Sequence, residues 1–435
     1  MSKTATTVDI DVHHVTRIEG HGNIRVRAKD GAVLQAQWQV PEAPRFFEAM
    51  VRGRRWDEMQ LITSRICGIC SMSHSLASLK ATEEALGIAI SPQTDTLRQL
   101  AMYGEQIESH VLHVGYLVAP DLLGVKSVVP LVASHPDLVK VVIRLHKLGN
   151  DIMELLGGRR THPVALRPGG FGKLPTEGEL RQMGQWLEAE IPDLKTLASA
   201  VLSLAEKVPA FTRATEYIAL VAPGEYPLIH GAIGSTDTAD PVPVQQYQSV
   251  VNEYVTAQST AKWTKWHRDA YAVGALARYN LNADYLLPIA KETAKAFGLT
   301  RGCANPYLNS VAQVVETAHC FEHSLQLLDA LLTAGIKAET PRVKPKAGSG
   351  VGAVEAPRGI LFHDYTFDEN GLCTAANMVI PTNQNHANLQ ADIEALVPQV
   401  LDRPQEEIRL LLEMLVRSYD PCVSCSTHFL DVEFV

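Results

Sequence analysis

Two Cys-x-x-Cys pairs at opposite ends of the chain constrain its fold more than any other feature. They are Cys67-Gly-Ile-Cys70 and Cys422-Val-Ser-Cys425. Each is followed by a histidine, His74 and His428, so each pair adds an imidazole to its soft metal ligands. The second pair lies at the extreme C-terminus, where a domain ordinarily frays. If one site uses both pairs, the chain must fold back and clamp its own end against its N-terminal part. Taken alone, such thiolates read as a structural zinc site or an iron–sulfur cubane. Three features point elsewhere: the long separation in sequence, a histidine at a fixed offset from each pair, and a neighbourhood rich in acids and arginines.

The chain has 435 residues, enough for two or three domains or one large core with appended lobes. Hydrophobic residues make up 46% and charged residues 20%, which suits a well-buried globular protein. A net charge of −9 provides no basic field for nucleic acid or anionic lipid. Of the seven cysteines, Cys303, Cys320 and Cys373 stand alone. An odd count in a large chain argues against a disulfide framework, and these three read as core thiols. The first residues lack the apolar run of a signal peptide, and no stretch approaches the roughly 20 apolar residues of a membrane span. The chain is therefore expected to be soluble and cytoplasmic.

The hydrophobic periodicity predicts a mainly α protein with small β lobes, an α+β class. Strand-like alternation over 8–40, with a turn at Lys29-Asp30-Gly31, makes residues 1–42 an N-terminal β lobe. Residues 43–340 read as a helical core. Its helices are expected over about 43–63, 72–86, 93–118, 137–157, 177–206, 243–272, 284–298 and 309–335, with a small β insertion near 212–236. Residues 341–435 form a C-terminal unit. It opens with a lysine- and glycine-rich segment, followed by a hairpin over 359–367 and 372–380 turned at Asn370-Gly371. Helices over about 388–398 and 404–418 then lead to the terminal pair.

Read singly, the polar residues around these pairs are unremarkable in role. Glu19 suits a solvated carboxylate at a strand end, Glu48 a surface helix glutamate, and Arg358 a turn residue after proline. His110 and His113, on an apolar helix, suit hydrogen-bonded core histidines. Gly348, Gly350 and Gly352 lack the strand-to-helix context of a phosphate loop.

Together, however, five stretches occur in order: Arg17-Ile-Glu-Gly-His21, Arg65-Ile-Cys-Gly-Ile-Cys-Ser-Met-Ser-His74, Ala356-Pro-Arg-Gly359, Ile380-Pro-Thr-Asn383 and Asp420-Pro-Cys-Val-Ser-Cys-Ser-Thr-His428. In this the chain resembles the large, catalytic subunit of nickel–iron hydrogenases. The resemblance implies nickel held by Cys67, Cys70, Cys422 and Cys425, with Cys70 and Cys425 bridging to an iron that carries carbon monoxide and cyanide. Cys67 and Cys422 would be terminal ligands, one of them taking the proton when dihydrogen splits. Arg358 would stand over the open coordination position and hydrogen-bond a cyanide, with Asp420 as its carboxylate partner. Thr382 would donate to the other cyanide, Glu19 would relay the proton, and His74 would hydrogen-bond a bridging sulfur. Glu48, His428 and the backbone carbonyl of Met378 would ligate a nearby magnesium.

The chain departs from the periplasmic members at Glu108-Ser109-His110, where those carry an aspartate flanked by histidines, so Arg358 is expected to lack one acidic neighbour. Its length and this substitution resemble the cytoplasmic, bidirectional members. The tail Phe429–Val435 is either a short maturation peptide or retained, so a maturation protease and nickel-insertion factors are possible partners. After the metal site only isolated cysteines remain. A small iron–sulfur partner subunit is therefore expected, followed by further redox subunits linked to nicotinamide, deazaflavin or heterodisulfide. Rival readings are a dihydrogen-sensing regulator with low turnover, a proton-reducing respiratory subunit and a structural zinc protein.

Overall fold

A computed structural model describes residues 7–341 and 343–427. Strands β1 (Thr7–Val12), β2 (Asn23–Lys29) and β3 (Ala32–Gln39) form an antiparallel sheet in that order. Alternate residues Val8, Ile10 and Val12 of β1, and Ile24, Val26 and Ala28 of β2, turn inward. The β2–β3 connection pairs Lys29 with Ala32. Asp30 and Gly31 there adopt φ of 51° and 81°, as a tight turn matched to strand twist requires.

The helical core holds α1 (Ser71–Leu86), α2 (Pro92–Leu112), α3 (Pro136–Gly157) and α4 (Glu177–Ser203). After a β insertion of β4 (Glu216–Val221) and β5 (Ala232–Ser235) comes a hairpin of β6 (Asn252–Thr256) and β7 (Ser259–Lys265). Helices α5 (Ala275–Asn282), α6 (Pro288–Ala296) and α7 (Asn309–Ala334) follow. A second antiparallel sheet contains β8 (Gly348–Ala356), β9 (Gly359–Phe367) and β10 (Cys373–Val379). Helices α8 (Pro381–Val400) and α9 (Gln405–Ser418) then deliver the chain to a short helix, Val423–Ser426. The architecture is the expected α+β class. One hydrophobic core spans α1–α4, α7 and β8–β9 and takes in all four cysteines of the two pairs. A second core seats Trp38 and the first sheet on α8 and α9.

Three local expectations are corrected. The helix expected over 243–272 is a short turn, Val244–Ser249, followed by the β6–β7 hairpin. Its tyrosine, tryptophan and threonines favour strand, and Ala261, Trp263 and Thr264 are buried. The helix expected over 43–63 is broken into Phe47–Val51 and Met59–Thr63, with Gly53 at φ 76° between them. The glycine-rich segment before the C-terminal hairpin is strand β8, which lies directly on α1. A Cβ at Gly348, Gly350 or Gly352 would sit 2.2, 2.4 or 2.0 Å from the carbonyl oxygens of Ala85, Ala81 and Ala77. Three bare positions on the strand thus face small residues on successive turns of the helix. This close seat fixes α1, whose N-terminus carries Cys70.

Candidate metal centre

Cys67 sits in extended backbone just after a 3-10 turn, Ser64–Ile66, and Cys70 forms the N-cap of α1. Cys422 caps the short terminal helix, and its backbone bridges to Glu19. The four Sγ atoms of Cys67, Cys70, Cys422 and Cys425 lie within 4.8 Å of one another, and all four residues are buried. Cys67 Sγ and Cys422 Sγ are 3.7 Å apart, so the two ends of the chain meet at this point. The cluster is held from behind. Arg45 donates its backbone N–H to Thr427 O at 2.7 Å and a guanidinium N–H to Ser424 O, while Asn383 donates to Ser426 O at 2.9 Å.

Burial pushes the Cys67 thiol up, but hydrogen bonds from Cys422, Cys425 and Cys70, with the charge of Arg358, outweigh it and hold Cys67 well below the usual range. Cys422 is pushed well above that range by its hydrogen bonds to Cys425, Cys67 and Cys70 and then by burial; burial is the main cause for Cys425, which also rises. The pocket stabilises one thiolate by making donors of its neighbours. Full ionisation requires a cation, and a soft transition metal is what this donor set fits.

Glu19 reaches the cluster from the N-terminal segment. The Cys422 thiol donates to Glu19 Oε2 at 3.1 Å, and Ser424 donates its backbone N–H to the same oxygen at 3.1 Å and its hydroxyl to Oε1. Arg358, in the turn between β8 and β9, is buried. Its guanidinium donates to Asp420 O at 2.6 Å, to Asp420 Oδ1 at 2.8 Å and to Ser109 Oγ at 3.4 Å. Ser109 thus stands where the sequence suggested a lost acidic neighbour. Thr382 Oγ1 accepts the Cys422 N–H at 3.0 Å, leaving its own O–H to donate elsewhere. Glu48 is buried and its Oε1 accepts the Met378 N–H at 2.7 Å, so two of the expected magnesium ligands adjoin each other. His74 Nδ1 lies 3.1 Å from His363 Nε2. His428 and the tail 429–435 lie outside the described residues.

Sequence reasoning did not find Glu105. From α2 it accepts the Met72 N–H at 2.6 Å and the Ser73 N–H at 3.0 Å, so it satisfies the first turn of α1 directly behind Cys70. Burial pushes this carboxyl up to about 8, against the hydrogen bonds from Ser73 and Met72. No spacing rule links position 105 to position 72; only the packing of α2 on α1 does.

Comparison with known proteins gives one answer. A family model described as nickel-dependent hydrogenase matches residues 45–140 and 236–428, and a HoxL-like model matches residues 9–43. The alpha subunit of sulfhydrogenase 1 from Pyrococcus furiosus is 33% identical, over 96% of this chain and 97% of its own. The alpha subunit of sulfhydrogenase 2 from the same organism is 32% identical, over 97% and 99%. Among solved structures, an NAD+-reducing [NiFe]-hydrogenase in the H2-reduced state superimposes with a TM-score of 0.83 at 28% identity, covering 97% of this chain and 99% of that one.

Proposed function

The chain belongs to the nickel-dependent hydrogenase family as a large subunit acting on dihydrogen at a cysteine-bound nickel–iron centre, and from that premise we propose which of its residues run the reaction. The nickel–iron centre, when bound, supplies heterolytic cleavage or formation of dihydrogen. Cys67, Cys70, Cys422 and Cys425 would hold that centre through their four buried sulfurs. The Cys422 sulfur is the proton's first stop. A proton on it is already aimed at Glu19 Oε2, 3.1 Å away, and the Ser424 N–H and hydroxyl keep that carboxylate turned toward the sulfur. This single contact carries the reading, because it joins a candidate nickel ligand to an acid that can pass the proton on.

Arg358 supplies a fixed, always-charged donor beside the thiolates, and its two bonds to Asp420 set its direction. The remaining hydroxyl proton of Thr382 serves a second iron ligand. Glu48, the Met378 carbonyl and His428 offer the oxygen and nitrogen donors of a magnesium site; His74, beside His363, supports a bridging sulfur. Electrons must leave through a partner. Apart from the metal-site thiols, Cys303, Cys320 and Cys373 are single free cysteines, and a cluster needs several thiolates together. Naming of the relatives as alpha subunits supports a small iron–sulfur partner, and the likeness to an NAD+-reducing enzyme supports a nicotinamide-linked acceptor further on. Among the described residues, no helix is long and apolar enough to cross a membrane.

Exchange of deuterium gas with solvent protons tests this reading without any electron acceptor. The assembled complex should form HD, and Cys422→Ser should abolish it. Undiminished exchange by the Cys422→Ser complex would contradict the assignment.

A further inference from the structure

The helix α2 does not simply end at Leu112. It continues as a π-helical segment, His113–Val118, an irregularity that often marks functional sites. Its first residue, His113, is buried between two elements of the centre. His113 Nδ1 lies 2.5 Å from Gln313 Oε1 on α7, and His113 Nε2 lies 2.7 Å from the carbonyl oxygen of Arg417 at the end of α9. Gln313 in turn donates its amide N–H to Asp420 Oδ2 at 3.1 Å.

The orientation of Gln313 is forced. Its NH2 must face the Asp420 carboxylate, which only accepts, so its oxygen faces His113. Both ring nitrogens of His113 then face oxygen atoms, so the ring is tied at both ends, to α7 and to the end of α9. The same Arg417 carbonyl also accepts the Asp420 N–H at 2.8 Å. Asp420 itself is in the left-handed region at φ 49°, which aspartate adopts more readily than most non-glycine residues. The sequence 113–313–420–358 is thus a line of buried side chains, each fixing the next, that ends on the guanidinium beside the thiolates.

We propose that Gln313 and His113 are positioning residues of the metal centre: they lock the Asp420 carboxylate and, through it, the direction of Arg358. The proposal rests on the role given above to Arg358. A tie between helices that merely stabilised the fold would lower thermal stability and leave the iron ligands unaffected.

The test uses the assembled, metal-replete complex with Gln313→Met, His113→Phe and the double variant. Two signals are read: the infrared bands of carbon monoxide and cyanide, and hydrogen–deuterium exchange of residues 417–422. The expected result is a resolvable band shift and faster exchange in each single variant. Turnover should fall several-fold with KM for dihydrogen unchanged, and the double variant should be no worse than the more affected single one. Wild-type bands and wild-type exchange in Gln313→Met, or fully additive losses, would overturn the proposal. A wild-type complex without such bands counts against the iron-ligand reading alone; the exchange arm then decides this one, faster exchange supporting it and unchanged exchange overturning it. If Gln313→Met fails to assemble, Gln313→Glu takes its place: it keeps the size and the acceptor for His113 but sets a carboxyl against the Asp420 carboxylate in place of the donor, and the same band shift and faster exchange are expected.

Discussion

In the proposed reading, Glu19 takes on the proton held by the Cys422 sulfur. It belongs to a short segment whose backbone is stitched to the terminal pair: Glu19 N donates to Pro421 O at 3.3 Å, and Val423 N donates to Glu19 O at 2.9 Å. Replacement by glutamine keeps the shape and removes the titratable oxygen. Glu19→Gln should lower deuterium–proton exchange by about 10²-fold or more, the range of a positioned acid–base group, with nickel content unchanged. Exchange within a few-fold of wild type would reassign the relay. Glu105 makes a different prediction. Its carboxyl, about 8 in the fold and 4.5 in the unfolded chain, retains a proton between those values that the unfolded chain has released. Stability should therefore be fully present below about 4.5 and fall as pH rises toward 8, by up to ~1.4 kcal/mol per pH unit. Buried Glu355, pushed up to about 7, adds a slope of the same sign. Melting curves from pH 5 to 8 should show Glu105→Gln losing part of that slope; an unaltered slope would contradict it. The metal-site motifs were legible in the sequence because thiolate pairs and their neighbours have fixed local spacing. Glu105 and Gln313 were not found, and His113 was read only as the hydrogen-bonded core histidine that it is, because their partners lie on other helices and no local pattern encodes the contact.

The element that sets the geometry of the first pair is α1, seated on β8. Ala85, Ala81 and Ala77 meet Gly348, Gly350 and Gly352 in turn, backbone to backbone, and half-buried Lys80 donates from the same helix to Ala353 O at 2.7 Å. A Cβ at Gly350 would lie 2.4 Å from both Ala81 O and Ala85 N, atoms that cannot move aside without shifting the helix. Gly350→Ala should cost about 1–3 kcal/mol, as overpacking does, and lower nickel occupancy because α1 carries Cys70. Gly178 in α4, whose nearest neighbour would be Thr176 Oγ1 at 3.9 Å, supplies the contrast. Gly178→Ala should stabilise by about 0.5–1 kcal/mol with occupancy unchanged. Thermal melts with nickel analysis check both; equal behaviour of the two variants would refute the seat. Long helices and the hairpin at Asn370-Gly371 were legible from periodicity and turn residues. Strand β8 was not, since alternating glycines carry no strand propensity and make sense only against a helix backbone. The β6–β7 hairpin was misread because its apolar residues are few and its alternation was taken as part of a longer helical run.

At the scale of the whole molecule, the metal site is where the chain's two ends are joined, and the second core clamps the same end through Trp38, α8 and α9. Glu316, buried between α5 and α7, receives two bonds from Arg278, one of them at 2.6 Å to Oε1, and Arg278 also reaches Glu355 at 3.0 Å. Arg278→Met would leave those carboxylates buried without their cation, and should destabilise the chain by about 3–5 kcal/mol in denaturant titration. Retained stability would mean that water reaches the network. The four clustered thiolates are proposed to hold nickel and an iron with diatomic ligands. Infrared spectroscopy of the purified complex, with nickel, iron and zinc counted on the same sample, tests it most directly. Bands of metal-bound carbon monoxide and cyanide are expected, with nickel and iron near equal at this site. Zinc without those bands, in protein made with the full maturation machinery, would contradict it and return the thiolates to a structural role.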